Sequence, residues 1–334
     1  MSASASLRIL FFGDGRWAAD SFLRLRSAHH TIVGVVIRQH PSDQSLCEEA
    51  QKAQIRVLQP ADVNSQEFLA DVSALAPDLN LSFSYNQILK PPILRTARLG
   101  FINFHAGKLP LYRGRNVINW AIINGEKEIG LTGHFVDAGI DTGDIILQKV
   151  LPITWTDTYG DVLNKVVAAF PDLVLETVNA IADRSARPQV QRDLPGTYAP
   201  GREEGDEWLD WSDSSLNLYN KIRGITRPGP GARTMLEEET VTIWRAAYDP
   251  AWPKYIATPG AIVGRSAQGV MVKTGDSTIL VQEVQMASGT PKVPTWRIGT
   301  RLGINLHTVL TSVLARLKDL EHQLSRGRDH DGSR

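Results

Sequence analysis

Cys47 is the only cysteine in 334 residues. One thiol makes no intrachain disulfide and no cysteine metal cluster, so the fold must rest on its apolar core. Net charge is missing too. The 36 Lys and Arg are balanced by 36 Asp and Glu, so no overall field draws the chain to nucleic acid or to an anionic membrane. Long hydrophobic runs are absent: none approaches the roughly 20 apolar residues that span a bilayer. Met1 to Arg8 lack the basic and apolar stretches of a secretory signal. Internal repeats and low-complexity blocks are also lacking. These absences lead us to expect a soluble, cytoplasmic protein with no membrane partner.

What is present is ordinary apolar material, 42% of the residues, enough for one large or two modest domains. Short apolar runs alternate with helical patterns through the first half. Strands are expected at Leu7–Phe12, Ile32–Ile37, Ile55–Leu58, Leu79–Phe83 and Leu99–Phe104, with helices near Trp17–Leu25, Leu46–Ala53 and Ser65–Leu75 between them. This order predicts an α/β domain with a parallel sheet covered on both faces. A helix at Asn116–Asn124 and paired strands at Leu131–Asp137 and Ile145–Leu151 follow. The helical stretch Tyr159–Ile181 is expected to be split in two by Pro171. After a helix at Ser215–Ile225, short strands at Thr240–Trp244, Ala261–Val263, Val270–Lys273 and Ile279–Gln285 predict a small β-barrel. The expected organisation is an α/β domain over 1–190, a linker over 191–206, a barrel over 207–303, an amphipathic helix over 304–325 and a disordered tail over 326–334. On the helix, Leu306, Leu310, Val313, Leu317, Leu320 and Leu324 form a heptad stripe. It reads first as a face packed on its own domain, and second as the contact of a homodimer.

The chemistry concentrates in two stretches. Asn103 and His105, two apart at the end of an apolar run, point to the same side of a strand. Strand ends of such sheets are where ligands bind. Downstream, Asp137 to Asp144 packs three Asp and two Gly into eight residues. A calcium loop would need a later Glu, and Ile145, Ile146, Leu147 and Gln148 supply none. An amide, an imidazole and a carboxylate brought together suit acyl transfer to an amine. Lys108 and Arg115 are solvated charges or hold an anionic part of a ligand. Gly13-Asp14-Gly15-Arg16-Trp17-Ala18 loosely fits a dinucleotide fingerprint. The second strand closes on Arg38 and Gln39 instead of the acid that would bind a ribose, so it reads as a structural turn.

The run from Asn103 through His105, Leu109-Pro110 and Tyr112-Arg113-Gly114, with Asp137-Ala138-Gly139-Ile140-Asp141-Thr142-Gly143-Asp144 downstream, resembles the folate-dependent formyltransferases. Trp208-Leu209-Asp210-Trp211 and Ile222 to Gly231 resemble the start of that family's C-terminal barrel. The resemblance implies a Rossmann-like formyltransferase domain followed by an OB-like domain. It also implies a catalytic trio of Asn103, His105 and Asp141, 10-formyltetrahydrofolate as formyl donor, and no metal. The pterin would lie against Gln87, Ile88, Leu89 and the loop of Asp137, Ala138, Gly139, Ile140 and Asp141, with Arg115 also touching the folate. Gly114-Arg115-Asn116 and Asn119-Trp120 resemble bacterial enzymes that formylate amino sugars carried on nucleotides. The expected acceptor is therefore a nucleotide-linked amino sugar, with initiator methionyl-tRNA less favoured and another small amine such as a hydroxyornithine as a further alternative. Hydrolysis of the donor by water, and a catalytically silent binding module, are the competing classes.

Overall fold

The computed structural model describes residues 5–191, 195–304 and 306–331, with only the helical backbone described at 306–308 and 324–331. The chain forms two compact units, residues 1–206 with 223–229, and residues 207–222 with 230–334.

In chain order the first unit contains β1 (Arg8–Gly13), α1 (Arg16–Ser27), β2 (Thr31–Val36), α2 (Ser45–Lys52), β3 (Val57–Leu58), α3 (Gln66–Leu75), β4 (Leu79–Phe83), α4 (Pro91–Leu94) and β5 (Phe101–His105). These are followed by β6 (Arg113–Gly114), α5 (Val117–Ile123), β7 (Glu128–Phe135), β8 (Ile145–Pro152), α6 (Tyr159–Ala182) and β9 (Tyr198–Ala199). The sheet order is β3-β2-β1-β4-β5-β7-β8. The first five strands are parallel, as expected, and β7 and β8 add an antiparallel hairpin at the edge beyond β5.

Strand β1 shows why the sheet is covered twice. Phe11 and Phe12 are adjacent and both fully buried, so their rings enter opposite cores. On one face Phe11 stacks on Phe83 at 4.7 Å, and Phe83 on Phe104 at 4.8 Å. Trp17 of α1 meets Phe170 of α6 edge-on over the same core. On the other face Phe12 meets Phe68 and Phe101.

Helix α6 corrects one expectation: it runs unbroken through Pro171. A proline inside a helix removes one backbone hydrogen bond. Here Phe170, Leu173 and Val174 flank it, fully buried, and hold both halves on one axis. The helix opens on a capping box between Thr158 and Asp161. The Gly13-Asp14-Gly15 turn is tied to its neighbours through Asp14. Its Asp14 carboxylate pairs with Arg38 at 3.0 Å and accepts from the Ser42 N–H.

In the second unit, α7 (Ser215–Ile225) begins within residues 207–222 and ends in the first unit's segment 223–229. Five antiparallel strands follow: β10 (Ala232–Leu236), β11 (Glu239–Ala247), β12 (Ile262–Ser266), β13 (Gly269–Lys273) and β14 (Thr278–Met286). They lie in the order β10-β11-β14-β13-β12. Arg301 bridges Ala261 beside one edge, and Leu302 bridges Leu236 at the other. Two consecutive residues thus close the sheet into the expected barrel. Strand β10 is absent from the sequence reading because Ala232-Arg233-Thr234 carries little apolar signal.

The C-terminal α8 (Leu306–Asp331) makes two corrections. Its helical backbone continues to Asp331 where a disordered tail was expected from Arg326; residues 332–334 lie outside the described residues. The stripe is also not packed on its own domain. Leu310, Val313, Leu317 and Leu320 stay 49–59% exposed. The Leu306 and Leu324 side chains lie outside the described residues.

Phe170 anchors α6 to α1 and the sheet. Phe170→Ala is expected to cost about 3–5 kcal/mol, read as a lower denaturant midpoint at unchanged slope for the first unit.

Candidate functional site

Strand β5 carries Asn103 and His105 on one side of the sheet. Its antiparallel neighbour β7 sets His134 opposite Asn103. The loop from Val136 to Asp144 returns over these strands and delivers Asp141. The three residues named from sequence are therefore together, and a fourth, His134, joins them.

Asp141 adopts a left-handed backbone, φ 53°, a conformation that Asp tolerates better than most side chains. Its carboxylate accepts from the Gly114 N–H at 2.8 Å and from Asn103 Nδ2 at 3.3 Å. It faces His105 Nδ1 at 3.6 Å and His134 Nε2 at 3.4 Å. A carboxylate only accepts, so the Asn103 amide nitrogen, not its oxygen, is turned toward it. The same nitrogen lies 3.2 Å from His134 Nε2. His134 Nδ1 is 2.8 Å from the Phe135 carbonyl, which can only accept. A hydrogen on Nδ1 donates to that carbonyl, and Nε2 is then left to accept from Asn103. Both amide hydrogens of Asn103 are held in the free enzyme, by contacts at the long end of the hydrogen-bond range.

His105 is fixed from its other side. Its Nε2 donates to the Tyr112 carbonyl at 2.7 Å, leaving Nδ1 as the basic nitrogen toward Asp141. Gly107 makes this possible: a Cβ there would run into both His105 Nε2 and the Tyr112 carbonyl. Burial pushes the His105 imidazole below its ordinary pKa, outweighing the attraction of Asp141 and the Tyr112 hydrogen bond. Burial alone would raise the Asp141 carboxyl. The facing His105 and the Gly114 N–H hold it well below the usual carboxylate range. At neutral pH the pair is a neutral imidazole beside a carboxylate.

The segment read as a linker does more than connect. Strand β9 pairs with β6, and Thr197 accepts from the Tyr112 N–H. Gln191 donates to the carbonyls of Asp141 and Gly143 and accepts from Arg113 at 3.0 Å. This support was not found in the sequence, because Gln191 is 50 residues from the carbonyl it holds. His134 was findable, as the one titratable side chain inside the Leu131–Phe135 run.

The residues expected to touch a pterin fall on two loops. Gln87 is spent on structure, accepting from the Val63 N–H, and the Ile88 carbonyl accepts from Asn64. Leu89 packs on the second core. The Ile88 and Ile140 side chains are 75% and 59% exposed. Asp137 accepts from the Gly139 N–H and Thr142 hydroxyl, which shapes the Asp137–Asp141 loop around Ala138. Arg115 is exposed, with its backbone N–H donating to Ala199. Lys108 pairs with Glu128.

Residues 7–178 match the family model described as formyl transferase, and residues 203–294 match formyl transferase, C-terminal domain. The chain is 33% identical over 288 residues to the methionyl-tRNA formyltransferase of Pelotomaculum thermopropionicum, covering 84% of this chain and 91% of that protein. It is 32% identical over 315 residues to the one from Geobacter sulfurreducens, covering 90% and 98%. Its fold is similar to a crystal structure of an N-formyltransferase from Helicobacter canadensis in complex with folinic acid and dTDP-3-aminofucose. The TM-score is 0.66 at 19% identity, over 83% of this chain and 99% of that one. The chain belongs to the formyl transferase family and is a formyltransferase of two domains.

If Asp141 sustains the basicity of His105 against burial, replacing it should lower that pKa further. Histidine-selective NMR should show His105 titrating below about 6.5 in the native protein and lower still in Asp141→Asn. A rise in the variant would show that another charge sets this imidazole.

Proposed function

We propose that this formyltransferase moves the formyl group of 10-formyltetrahydrofolate to the primary amine of a nucleotide-linked sugar. The Asn103, His105, Asp141 and His134 cluster is the observation that carries the transfer. The exposed apolar side chains of Ile88 and Ile140 suit a flat heteroaromatic ring, so the two loops fit a folate. The folate brings the formyl group bonded to its N10.

His105 Nδ1 takes the proton that the attacking amine loses, and Asp141 stabilises the imidazolium. As the amine nitrogen bonds to the formyl carbon, negative charge moves to the formyl oxygen. Asn103 Nδ2 offers a hydrogen to that oxygen, releasing one of its two present contacts. Such a donor is typically worth about 2.7–4 kcal/mol. His134 is a positioning residue, keeping the amide nitrogen turned into the site. When the carbon–N10 bond breaks, N10 takes a proton and the His105 imidazolium is the acid at hand.

For the acceptor, charge supports a small molecule over a nucleic acid. The barrel, residues 207–303, carries 11 Lys and Arg against 9 Asp and Glu. Phosphate backbones are held by excess positive charge. A cavity of about 250 Å³ beside Tyr112 is lined by Trp120, Glu126, Tyr198 and their neighbours, a size for one sugar or base. Of the residues that resemble amino-sugar enzymes, Trp120 lines it, and Asn116 and Asn119 make structural contacts. Trp120 donates to the Pro200 carbonyl, Asn116 accepts from the Arg202 N–H and Asn119 donates to the Gly224 carbonyl. The second reading, initiator methionyl-tRNA, is favoured by the one-third identity to enzymes of that name.

The deciding assay supplies 10-formyltetrahydrofolate with thymidine- and uridine-diphosphate amino sugars, or with initiator methionyl-tRNA, and follows tetrahydrofolate release and product mass. One added formyl group on a sugar nucleotide is expected. Formylation of the tRNA alone would overturn the acceptor while leaving the cluster standing. Release without any amine would make the protein a hydrolase.

His105→Ala should lower kcat by about 10²–10⁴-fold. His134→Ala should lower kcat by roughly ten- to a hundredfold, with the KM for the folate little changed. An unaltered kcat would remove His134 from the positioning role.

A further inference from the structure

The stripe on α8 is written in a pattern that a second copy of this chain completes. Leu310 and Leu317 fall at a positions and Val313 and Leu320 at d positions, with Leu306 and Leu324 continuing the series in the sequence. Val309 and Arg316 then occupy g, and Leu314 and Glu321 occupy e. In a parallel two-stranded coiled coil each g residue meets the e residue five positions later on the partner helix. Val309 therefore meets Leu314, and Arg316 meets Glu321: apolar on apolar, and positive on negative. An antiparallel pairing of the full stripe instead sets Arg316 near its own copy, like charge on like charge.

The exposures agree with this assignment. Val309 and Leu314, outside the a and d seam, are as open as the seam itself, at 49% and 50%. The apolar surface is therefore wider at the start of the helix, where both flanking positions are apolar. A single helix with so much open apolar surface is poorly stabilised in water, because helices gain most of their stability from a packed face. A membrane surface is a poorer partner. The flank from Arg316 to Glu321 holds Arg316 and Lys318 against Asp319 and Glu321, without the basic excess that anionic lipid attracts.

We propose that two copies of this chain associate through α8 as a parallel coiled coil, with Arg316 of each helix facing Glu321 of the other.

The test uses the full chain. Sedimentation equilibrium at micromolar concentration should give twice the 36.8 kDa chain mass, and Leu317→Asp should return it to the single-chain mass. A native protein of single-chain mass, or a trimer, would overturn the pairing. Arg316→Glu and Glu321→Arg should each weaken the dimer at least tenfold, and the two together should restore it. Failure of the double variant to recover would overturn the parallel register. Leu310→Cys, made with Cys47→Ser, should form a disulfide-linked dimer on oxidation. In a full antiparallel overlap those two positions lie about 15 Å apart by helix rise, and no cross-link would form. These readouts concern mass alone, so they stand or fall independently of the acceptor.

Discussion

The Asp141 carboxylate is the contact on which the rest of the site depends. Four groups converge on it: the Gly114 N–H, the Asn103 amide, and the rings of His105 and His134. They come from three parts of the chain, so one buried negative charge fixes the β5 strand end, the turn after it and the β7 strand relative to one another. A buried carboxylate is costly unless it is matched. Here its low pKa records that the match outweighs burial. The left-handed backbone at Asp141 belongs to the same economy. A strained residue persists where its surroundings hold it, and Gln191 clamps the carbonyls of Asp141 and Gly143 from behind.

That convergence sets His105 as well. A neutral imidazole in a dry pocket would be a poor acceptor of a proton if nothing stabilised the cation. Asp141 lies on the side of Nδ1, the nitrogen left free once Nε2 is committed to the Tyr112 carbonyl. The tautomer is thus chosen by a backbone oxygen, and the backbone can come that close only because residue 107 has no side chain. In the proposed mechanism the carboxylate is the constant and the two imidazoles have separate tasks, His105 moving a proton and His134 holding an amide.

How far the sequence spoke depends on range. Local patterns located β4 and α7 to the residue, because a five-residue buried strand and an eleven-residue amphipathic helix are decided by their own periodicity. Pro171 misled, since the rule for proline describes a helix in water. A helix pressed on a core by Phe170, Leu173 and Val174 is governed by packing. Spacing put Asn103 and His105 on one side of a strand end, and the resemblance named them, with Asp141, as a catalytic trio. His134 went unnamed although it was in plain sight on the next strand, because pairing register is not written locally: it is fixed by where the β5–β7 connection ends. The role of residues 191–202 was equally invisible. A stretch rich in Pro, Gly and Arg reads as connector, yet Gln191, Thr197 and Ala199 each hold a backbone group of the site.

The acceptor question is open to physics where likeness divides. Overall identity reports on the fold and on formyl transfer, which a tRNA enzyme and a sugar enzyme need alike. Acceptor choice lies outside that core, in surface charge and in the shape around the site. An initiator tRNA brings a dense row of phosphates, and its affinity comes largely from releasing their counterions. A chain whose charges cancel, and whose barrel is within two charges of neutral, has little of that energy to draw on. A nucleotide-linked sugar carries two phosphates and asks for only one or two cations. Arg115, exposed and next in sequence to the Gly114 that contacts Asp141, is one cation on hand near the site. The near-neutral surface therefore favours a small acceptor for the same reason that it argued, at the level of composition, against a nucleic-acid partner.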